Sequence, residues 1–176
     1  MMRTKVMIVD DQRLARQYFE LVVNAAGDRF EVVHLVESAA FADTYVLRNG
    51  VDLVLMDVLM ADGSSSFEAV RRIKRVKPQV KVIVVTSIPE ASWMDEARRC
   101  AVEGFWYKES SVETIVDVMD RVVAGEQVYP DAPPETTVGL AKSSDLTARE
   151  VEILRALVDG LSNEEMAERL HLSPEP

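Results

Sequence analysis

The sequence predicts an α/β domain built around a parallel sheet, and two observations agree on this class. Five short apolar segments alternate with five helical patterns between residues 5 and 123. Alternation of this kind implies right-handed crossovers and places helices on both faces of the sheet. Several of the apolar segments are uniformly apolar, which is typical of parallel strands buried on both faces.

The first two strand and helix pairs have clear boundaries. Residues 5–9 contain the run VMIV, which predicts a buried strand ending at Asp10 and Asp11. Five apolar residues then fall on one stripe of a helix that Gly27 closes: Leu14, Tyr18, Leu21, Val22 and Ala25. Residues 30–36 predict the second strand, and residues 38–48 a helix that ends at an Asn-Gly turn.

Three further pairs complete the domain. Strands are predicted at residues 52–56, 80–85 and 104–107. Helices are predicted at 67–77, from Pro89 to about residue 102, and from residue 112 to 123. A loop containing Gly63 and three serines precedes the helix at 67–77, and its composition predicts mobility.

Composition is that of a soluble globular protein, with 48% hydrophobic and 28% charged residues. The net charge of −10 does not indicate a nucleic-acid-binding surface, which favours basic residues. Cys100 is the only cysteine, so no disulfide forms within the chain, and its apolar setting predicts a buried thiol. No apolar run reaches the length of a membrane span, and residues 1–11 lack a signal-peptide pattern. We therefore expect a cytoplasmic protein that does not contact a membrane.

The composition changes after the fifth helix. We assign residues 1–128 to the first domain, 129–145 to a linker rich in Pro, Ser and Thr, and 146–176 to a small helical module. Two capping boxes, Thr147 to Glu150 and Ser162 to Glu165, each predict the start of a helix.

Polar residues follow the predicted strands at the edge where parallel sheets bind ligands. Asp10 and Asp11 follow the first strand, Asp57 the third, Thr86 the fourth and Lys108 the fifth. Carboxylates on neighbouring strand ends repel one another unless a cation joins them. Oxygen ligands of this kind suit Mg²⁺, and a carboxylate beside it can accept a phosphoryl group. A hydroxyl and an ammonium group would then hold phosphoryl oxygens.

This pattern resembles the receiver domain of two-component response regulators over roughly residues 3–125. The resemblance implies a flavodoxin-like (βα)5 fold whose parallel strands lie in the order 2-1-3-4-5. It implies that Asp57 is the phosphoacceptor and that Asp10, Asp11, Asp57 and the backbone carbonyl of Leu59 bind Mg²⁺. Thr86 would contact the phosphoryl group, and Lys108 would pair with Asp57 or its phosphate.

The resemblance also implies a switch. Thr86 would move towards the phosphoryl group and Phe105 would follow, although relatives commonly carry tyrosine at the position of Phe105. The loop after Asp57 has Ala61 where relatives usually carry proline, which bears on the lifetime of the phosphate.

Residues 146–173 resemble the first two helices of the LuxR/FixJ type of helix-turn-helix module. In such modules a helix that would begin at about Ser173 lies in the major groove. We therefore expect an all-α partial module that lacks its recognition helix in this chain, which ends at Pro176.

These resemblances predict a transcription regulator rather than an enzyme acting on other substrates. A sensor histidine kinase would supply the phosphoryl group, and the receiver would catalyse only its own phosphorylation and dephosphorylation. Phosphorylation would promote a homodimer and, in the full-length form, binding to promoter DNA.

Two alternatives stay open from sequence. The chain could be a receiver-like scaffold that acts without phosphorylation. It could also be a phosphatase with an aspartate nucleophile, but such enzymes usually need a second aspartate two residues later, where this chain has Leu59.

Overall fold

The computed structural model describes residues 2–108, 111, 113–134, 137–138 and 141–142, and the backbone of these residues forms two units. The strands of the first unit are β1 (Thr4–Val9), β2 (Phe30–Val36), β3 (Leu53–Asp57), β4 (Lys81–Thr86) and β5 (Gly104–Tyr107). The helices are α1 (Arg13–Ala25), α2 (Ala42–Asn49), α3 (Ser66–Val76), α4 (Ala91–Arg99) and α5 (Ile115–Val123). A short 3-10 turn, Ala39–Phe41, precedes α2.

The five strands form one parallel sheet in the order β2-β1-β3-β4-β5, which confirms the predicted fold class and strand order. Val9 of β1 lies opposite Met56 of β3, so the residues that follow them, Asp10 and Asp57, are neighbours. Asp57 lies opposite Val85 of β4. The register therefore brings the ends of β1, β3 and β4 to one edge of the sheet.

Helices cover both faces of the sheet, as the alternating pattern predicts. Helices α1 and α5 pack on one face around Phe19, Leu55 and Met119. Helices α2, α3 and α4 pack on the other face around Val54, Ile73 and Ala97. The central strands are buried on both sides, which explains their uniformly apolar sequences.

The stripe predicted for α1 is largely on its exposed face. Leu14 is 80% exposed, Leu21 is 72% exposed and Tyr18 is also exposed. The buried face of α1 carries Phe19 and Val23 instead. Two apolar stripes therefore run along this helix, and periodicity alone does not tell which of them faces the sheet.

Two helix ends differ from the sequence prediction. Helix α4 ends at Arg99 rather than near residue 102, and Ala101 follows with a φ of 56°. Helix α5 begins at Ile115 rather than at residue 112 because Thr114 and Asp117 form a capping box. After α5 the chain returns to the free edge of β5, where Phe105 N–H donates to the carbonyl of Val128.

In the second unit the structure describes one short antiparallel ribbon, β6 (Thr137–Val138) with β7 (Ala141–Lys142). This ribbon falls inside the segment predicted to be a linker. The two predicted capping boxes and the rest of the predicted helical module lie outside the described residues. None of the helices among the described residues is long and apolar enough to cross a lipid bilayer.

Candidate functional site

Three carboxylates meet at the carboxyl edge of the sheet. Oxygen atoms from Asp10, Asp11 and Asp57 all lie within 4.8 Å of one another. Asp10 is fully buried and Asp57 is only 5% exposed, whereas Asp11 is partly exposed. Sequence reasoning predicted that these three residues come together, and the structure brings them together.

The ammonium group of Lys108 lies between two of these carboxylates. Its Nζ is 2.7 Å from Oδ2 of Asp10 and 3.0 Å from Oδ1 of Asp57. The backbone of Lys108 is fixed as well, because its N–H donates to the carbonyl of Thr86 at 2.9 Å. A single cation therefore faces a group of three carboxylates, among the residues that the structure describes.

The excess of negative charge changes the protonation of the pocket. The pKa of Asp57 is raised to about 6, mainly because the carboxyl is buried; the charges of Asp10 and Asp11 add to this rise, and Lys108 offsets part of it. Burial alone would lower the pKa of Lys108, but its interactions with Asp57 and Asp10 outweigh this effect and raise the pKa. The pocket thus favours species that add positive charge.

Thr86 and Phe105 occupy different surroundings. Thr86 ends β4 next to the pocket and is buried, and its Oγ1 accepts a hydrogen bond from Ile88 N–H at 3.2 Å. Phe105 is buried, and its ring packs against Tyr107 and Tyr129 at centroid distances of 5.2 and 6.2 Å. Phe105 is therefore part of the packing under α4 and not part of the polar pocket.

The loop after Asp57 is held by hydrogen bonds, although its composition predicted mobility. Ala61 N–H donates to Oδ2 of Asp11 at 2.7 Å. Ser38 donates to Asp62, and Ser64 Oγ accepts from Ala39 N–H at 3.2 Å. We call the contacts of Asp62 and Ser64 with Ser38 and Ala39 the Ser38 hydrogen-bond cluster. Leu59 lies within this loop and its side chain is 46% exposed.

Sequence reasoning missed two contributors to the pocket. Ser38 was assigned only as the start of a helix, because its partner Asp62 is far away in sequence. Arg16 was passed over inside the first helix, yet its guanidinium donates to the carbonyls of Asp10 and Asp11. Neither contact has a local sequence signal, since each depends on how loops approach one another in the fold.

The donor set of this pocket fits a hard divalent cation. Its members are carboxylate oxygens, which Mg²⁺ prefers over nitrogen and sulfur ligands. Three carboxylates, two of them buried, repel one another, and a bound cation would reduce this repulsion.

Several residues outside the pocket have packing roles. Cys100 is a buried thiol, as predicted. His34 packs against the ring of Tyr45 at 5.3 Å between centroids. Trp106 is buried and donates from its indole to the carbonyl of Glu113, while His171 lies outside the described residues.

A doubly wound five-stranded sheet with an acidic pocket at its carboxyl edge defines a receiver-type domain. Comparison with protein families agrees, since the response regulator receiver domain matches residues 6–120. The luxR family of bacterial regulatory proteins matches residues 144–175. The chain therefore belongs to the response regulators, and it combines a receiver domain with a luxR-type regulatory segment.

Two relatives align with nearly the whole chain, and a solved structure matches about two thirds of it. The response regulator protein VraR of Staphylococcus aureus is 32% identical over 179 residues, which cover 98% of this chain and 84% of VraR. The Fimbriae Z protein of Salmonella typhimurium is 28% identical over 174 residues, covering 96% of this chain and 82% of that protein. The crystal structure of a DNA-binding response regulator of the LuxR family from Staphylococcus aureus superimposes with a TM-score of 0.61 at 25% identity, covering 68% of this chain and 98% of that one.

Proposed function

We propose that Asp57 accepts a phosphoryl group and that this modification controls the luxR-type segment. The observation that carries the proposal is the group of three carboxylates within 4.8 Å, two of them buried, with Lys108 bonded to Asp10 and Asp57. Such a group is costly in a folded protein unless it serves to hold a cation. We further propose that the chain acts in the cytoplasm with a sensor histidine kinase as donor.

The proposed transfer has defined roles for the residues of the pocket. A carboxylate oxygen of Asp57 attacks the phosphorus of a phosphohistidine, so that a P–O bond forms as the P–N bond breaks. The imidazole nitrogen leaves with the electron pair of the broken bond. Asp10, Asp11, Asp57 and the carbonyl of Leu59 would hold Mg²⁺, which neutralises charge on the phosphoryl oxygens when it is bound.

Lys108 and Thr86 would bind the remaining phosphoryl oxygens. Lys108 already lies 3.0 Å from Asp57, so its ammonium needs little movement to pair with a phosphoryl group. Thr86 would have to turn its hydroxyl from the N–H of Ile88 towards the phosphoryl group. Phe105 would then repack against Tyr107 and Tyr129, and the α4 surface would change with it.

The output step of the proposal is dimerisation of the chain followed by binding to promoter DNA. The match to the luxR family over residues 144–175 supports it. Within this proposal the chain catalyses its own phosphorylation and dephosphorylation and acts on no other substrate. Light scattering of the chain before and after phosphorylation measures the dimer directly.

The decisive experiment is the intact mass of the protein after incubation with acetyl phosphate, with and without Mg²⁺. We expect a phosphoryl adduct on the wild type only when Mg²⁺ is present, and none on Asp57→Asn. The matched control is Asp95→Asn, which removes a carboxylate on the surface of α4 and keeps normal labelling. Equal labelling of Asp57→Asn and wild type would contradict the assignment, and no labelling of either would favour the scaffold alternative.

The phosphatase alternative has no support in the geometry. The position two residues after Asp57 carries Leu59, whose side chain cannot donate a proton to a leaving group. Rapid turnover of p-nitrophenyl phosphate by the wild type would restore that alternative.

A further inference from the structure

Arg16 makes the most direct contact with the turn that carries the acidic pair. Its Nη1 lies 2.6 Å from the carbonyl oxygen of Asp10 and 2.9 Å from that of Asp11. The side chain is only 16% exposed, so it is packed into this position. Its other contact is a 3.8 Å ion pair with Glu37, whose side chain is 81% exposed and contributes little.

The carbonyls that Arg16 binds lie beyond the regular sheet. Strand β1 ends at Val9, and the sheet holds the next residue only through Asp10 N–H, which donates to the carbonyl of Val36 at 3.0 Å. The two following peptide groups need another partner to keep one orientation. Since each peptide plane sets the direction of the neighbouring Cα–Cβ bonds, fixing these two carbonyls also fixes the directions in which the side chains of Asp10 and Asp11 leave the backbone.

Repulsion makes this restraint necessary. Because Asp57 is close by, turning the carboxylates of Asp10 and Asp11 away from the pocket would lower the free energy of the protein before any cation is bound. Backbone bonds hold the side chains in part, because Asp10 Oδ1 accepts from Gln12 N–H at 2.9 Å and Asp11 Oδ2 accepts from Ala61 N–H. These bonds hold only if the turn itself keeps its shape.

We propose that Arg16 is a positioning residue that preorganises Asp10 and Asp11 for Mg²⁺. It touches neither the cation nor the phosphoryl group and acts only through the two backbone carbonyls. This inference rests on the proposed function, since it assumes that the acidic pocket binds Mg²⁺. Partners that orient metal ligands from outside the coordination shell typically contribute about 10–100-fold to affinity.

The chemistry of the side chain separates positioning from simple charge. A guanidinium presents several N–H groups in a rigid plane and can hold two carbonyls at once, whereas an ammonium is a flexible point charge. Arg16→Lys keeps the charge and loses the planar geometry. Arg13→Ala removes a positive charge from an exposed position one turn earlier on the same helix and is the matched control.

The experiment is a titration of the metal-free, 15N-labelled 176-residue chain with MgCl₂, followed by NMR. The backbone amides of Gln12 and Ala61 report on the pocket because they donate to the carboxylates of Asp10 and Asp11. We expect Arg16→Ala to raise the Kd for Mg²⁺ about tenfold. We expect Arg16→Lys to raise it nearly as much and Arg13→Ala to leave it unchanged. Labelling by acetyl phosphate should return to the wild-type rate at saturating Mg²⁺.

Three results would overturn the inference: a Kd for Arg16→Ala within twofold of wild type, a wild-type Kd for Arg16→Lys, or equal weakening by Arg13→Ala. The dispersion of the same spectra shows whether each variant is folded, and Arg16→Lys decides the question if Arg16→Ala does not fold. A wild-type chain whose amides do not respond to Mg²⁺ would contradict the proposed function itself. Normal wild-type binding with an unaffected Arg16→Ala contradicts only the role of Arg16.

Discussion

The ammonium nitrogen of Lys108 lies 3.0 Å from Oδ1 of Asp57. The two residues are 51 positions apart; Asp57 ends β3 and Lys108 follows β5, and these strands are not neighbours because β4 lies between them. The same ammonium also bonds to Asp10, which follows a third strand. Lys108 is therefore the cation that offsets the repulsion in the pocket before Mg²⁺ is added.

Replacement of Lys108 by methionine should destabilise the metal-free protein. Loss of one partner from a buried ion pair typically costs about 3 kcal/mol. Lys108 lowers the pKa of Asp57, so without it the folded chain binds protons up to a higher pH. The loss of stability should therefore be larger at pH 7.5 than at pH 5 and should shrink when Mg²⁺ is added. Thermal melts with Lys5→Met, an exposed lysine on β1, as control would test this.

Replacement of Asp57 by asparagine should have the opposite effect in metal-free protein. The pKa of Asp57 is raised from 3.8 to about 6, so the folded state binds more protons than the unfolded state between these values. The free energy of unfolding of the wild type therefore falls as the pH rises through this window, and the full cost is present above pH 6. Asparagine removes this cost, which is at most about 3 kcal/mol.

The measurement for Asp57→Asn is the difference in Tm from wild type at pH 7.5 and pH 5 in the presence of a chelator. We expect a gain at pH 7.5 that becomes smaller at pH 5. Addition of Mg²⁺ should raise the Tm of wild type more than that of the variant, because the variant has lost one carboxylate. A gain in Tm that is the same at both pH values would contradict the electrostatic explanation.

Tyr107 gives a prediction about stability that does not involve the pocket. Its side chain is 2% exposed, and its hydroxyl is buried without a hydrogen-bond partner among the described residues. An unsatisfied buried hydroxyl typically costs about 1–3 kcal/mol. Tyr107→Phe should therefore raise the free energy of unfolding, as measured by urea denaturation.

Tyr129 supplies the matched control for this experiment. Its hydroxyl donates to the carbonyl of Val102 at 2.7 Å. Tyr129→Phe removes a hydrogen bond instead of an unsatisfied group, so it should lower the free energy of unfolding by about 1 kcal/mol. Equal effects of the two substitutions would show that the hydroxyl of Tyr107 finds a partner in solution.

The Ser38 hydrogen-bond cluster should determine how often the loop after Asp57 separates from Ser38 and Ala39. Ser38→Ala removes the hydroxyl that bonds to Asp62 and leaves the acidic pocket unchanged in composition. We expect faster amide hydrogen exchange in residues 59–64, because their hydrogen bonds to the β2–α2 connection are weakened. Ser92→Ala, which removes a hydroxyl that bonds to Glu90 on the surface, should not change exchange in this loop.

The sequence was sufficient to predict the parallel sheet and the position of the acidic pocket. Buried strands have uniformly apolar sequences, and the polar residues of the pocket lie at or just after the ends of such strands, so local patterns locate both. Asp10 and Asp57, for example, become neighbours simply because Val9 pairs with Met56.

The hydrogen bonds that hold the turns and loops around the pocket could not be predicted in the same way. Arg16 reaches the carbonyls of Asp10 and Asp11 only once α1 is docked on the sheet, and Ser38 meets Asp62 only once two loops approach. The choice between the two apolar stripes of α1 also depended on docking. Leu14 and Leu21 are as apolar as Phe19 and Val23, so composition does not tell which pair lies on the buried face of the helix.

The order of the pocket residues along the chain has a consequence for protein synthesis. Asp10, Asp11, Asp57 and Thr86 all leave the ribosome before Lys108, and β5, which Lys108 directly follows, is the last strand of the sheet. A nascent chain that ends before residue 108 therefore has the carboxylates without the ammonium that pairs with them. Under the proposed function, competence for phosphorylation should therefore arise late in translation, only after β5 and Lys108 have been made.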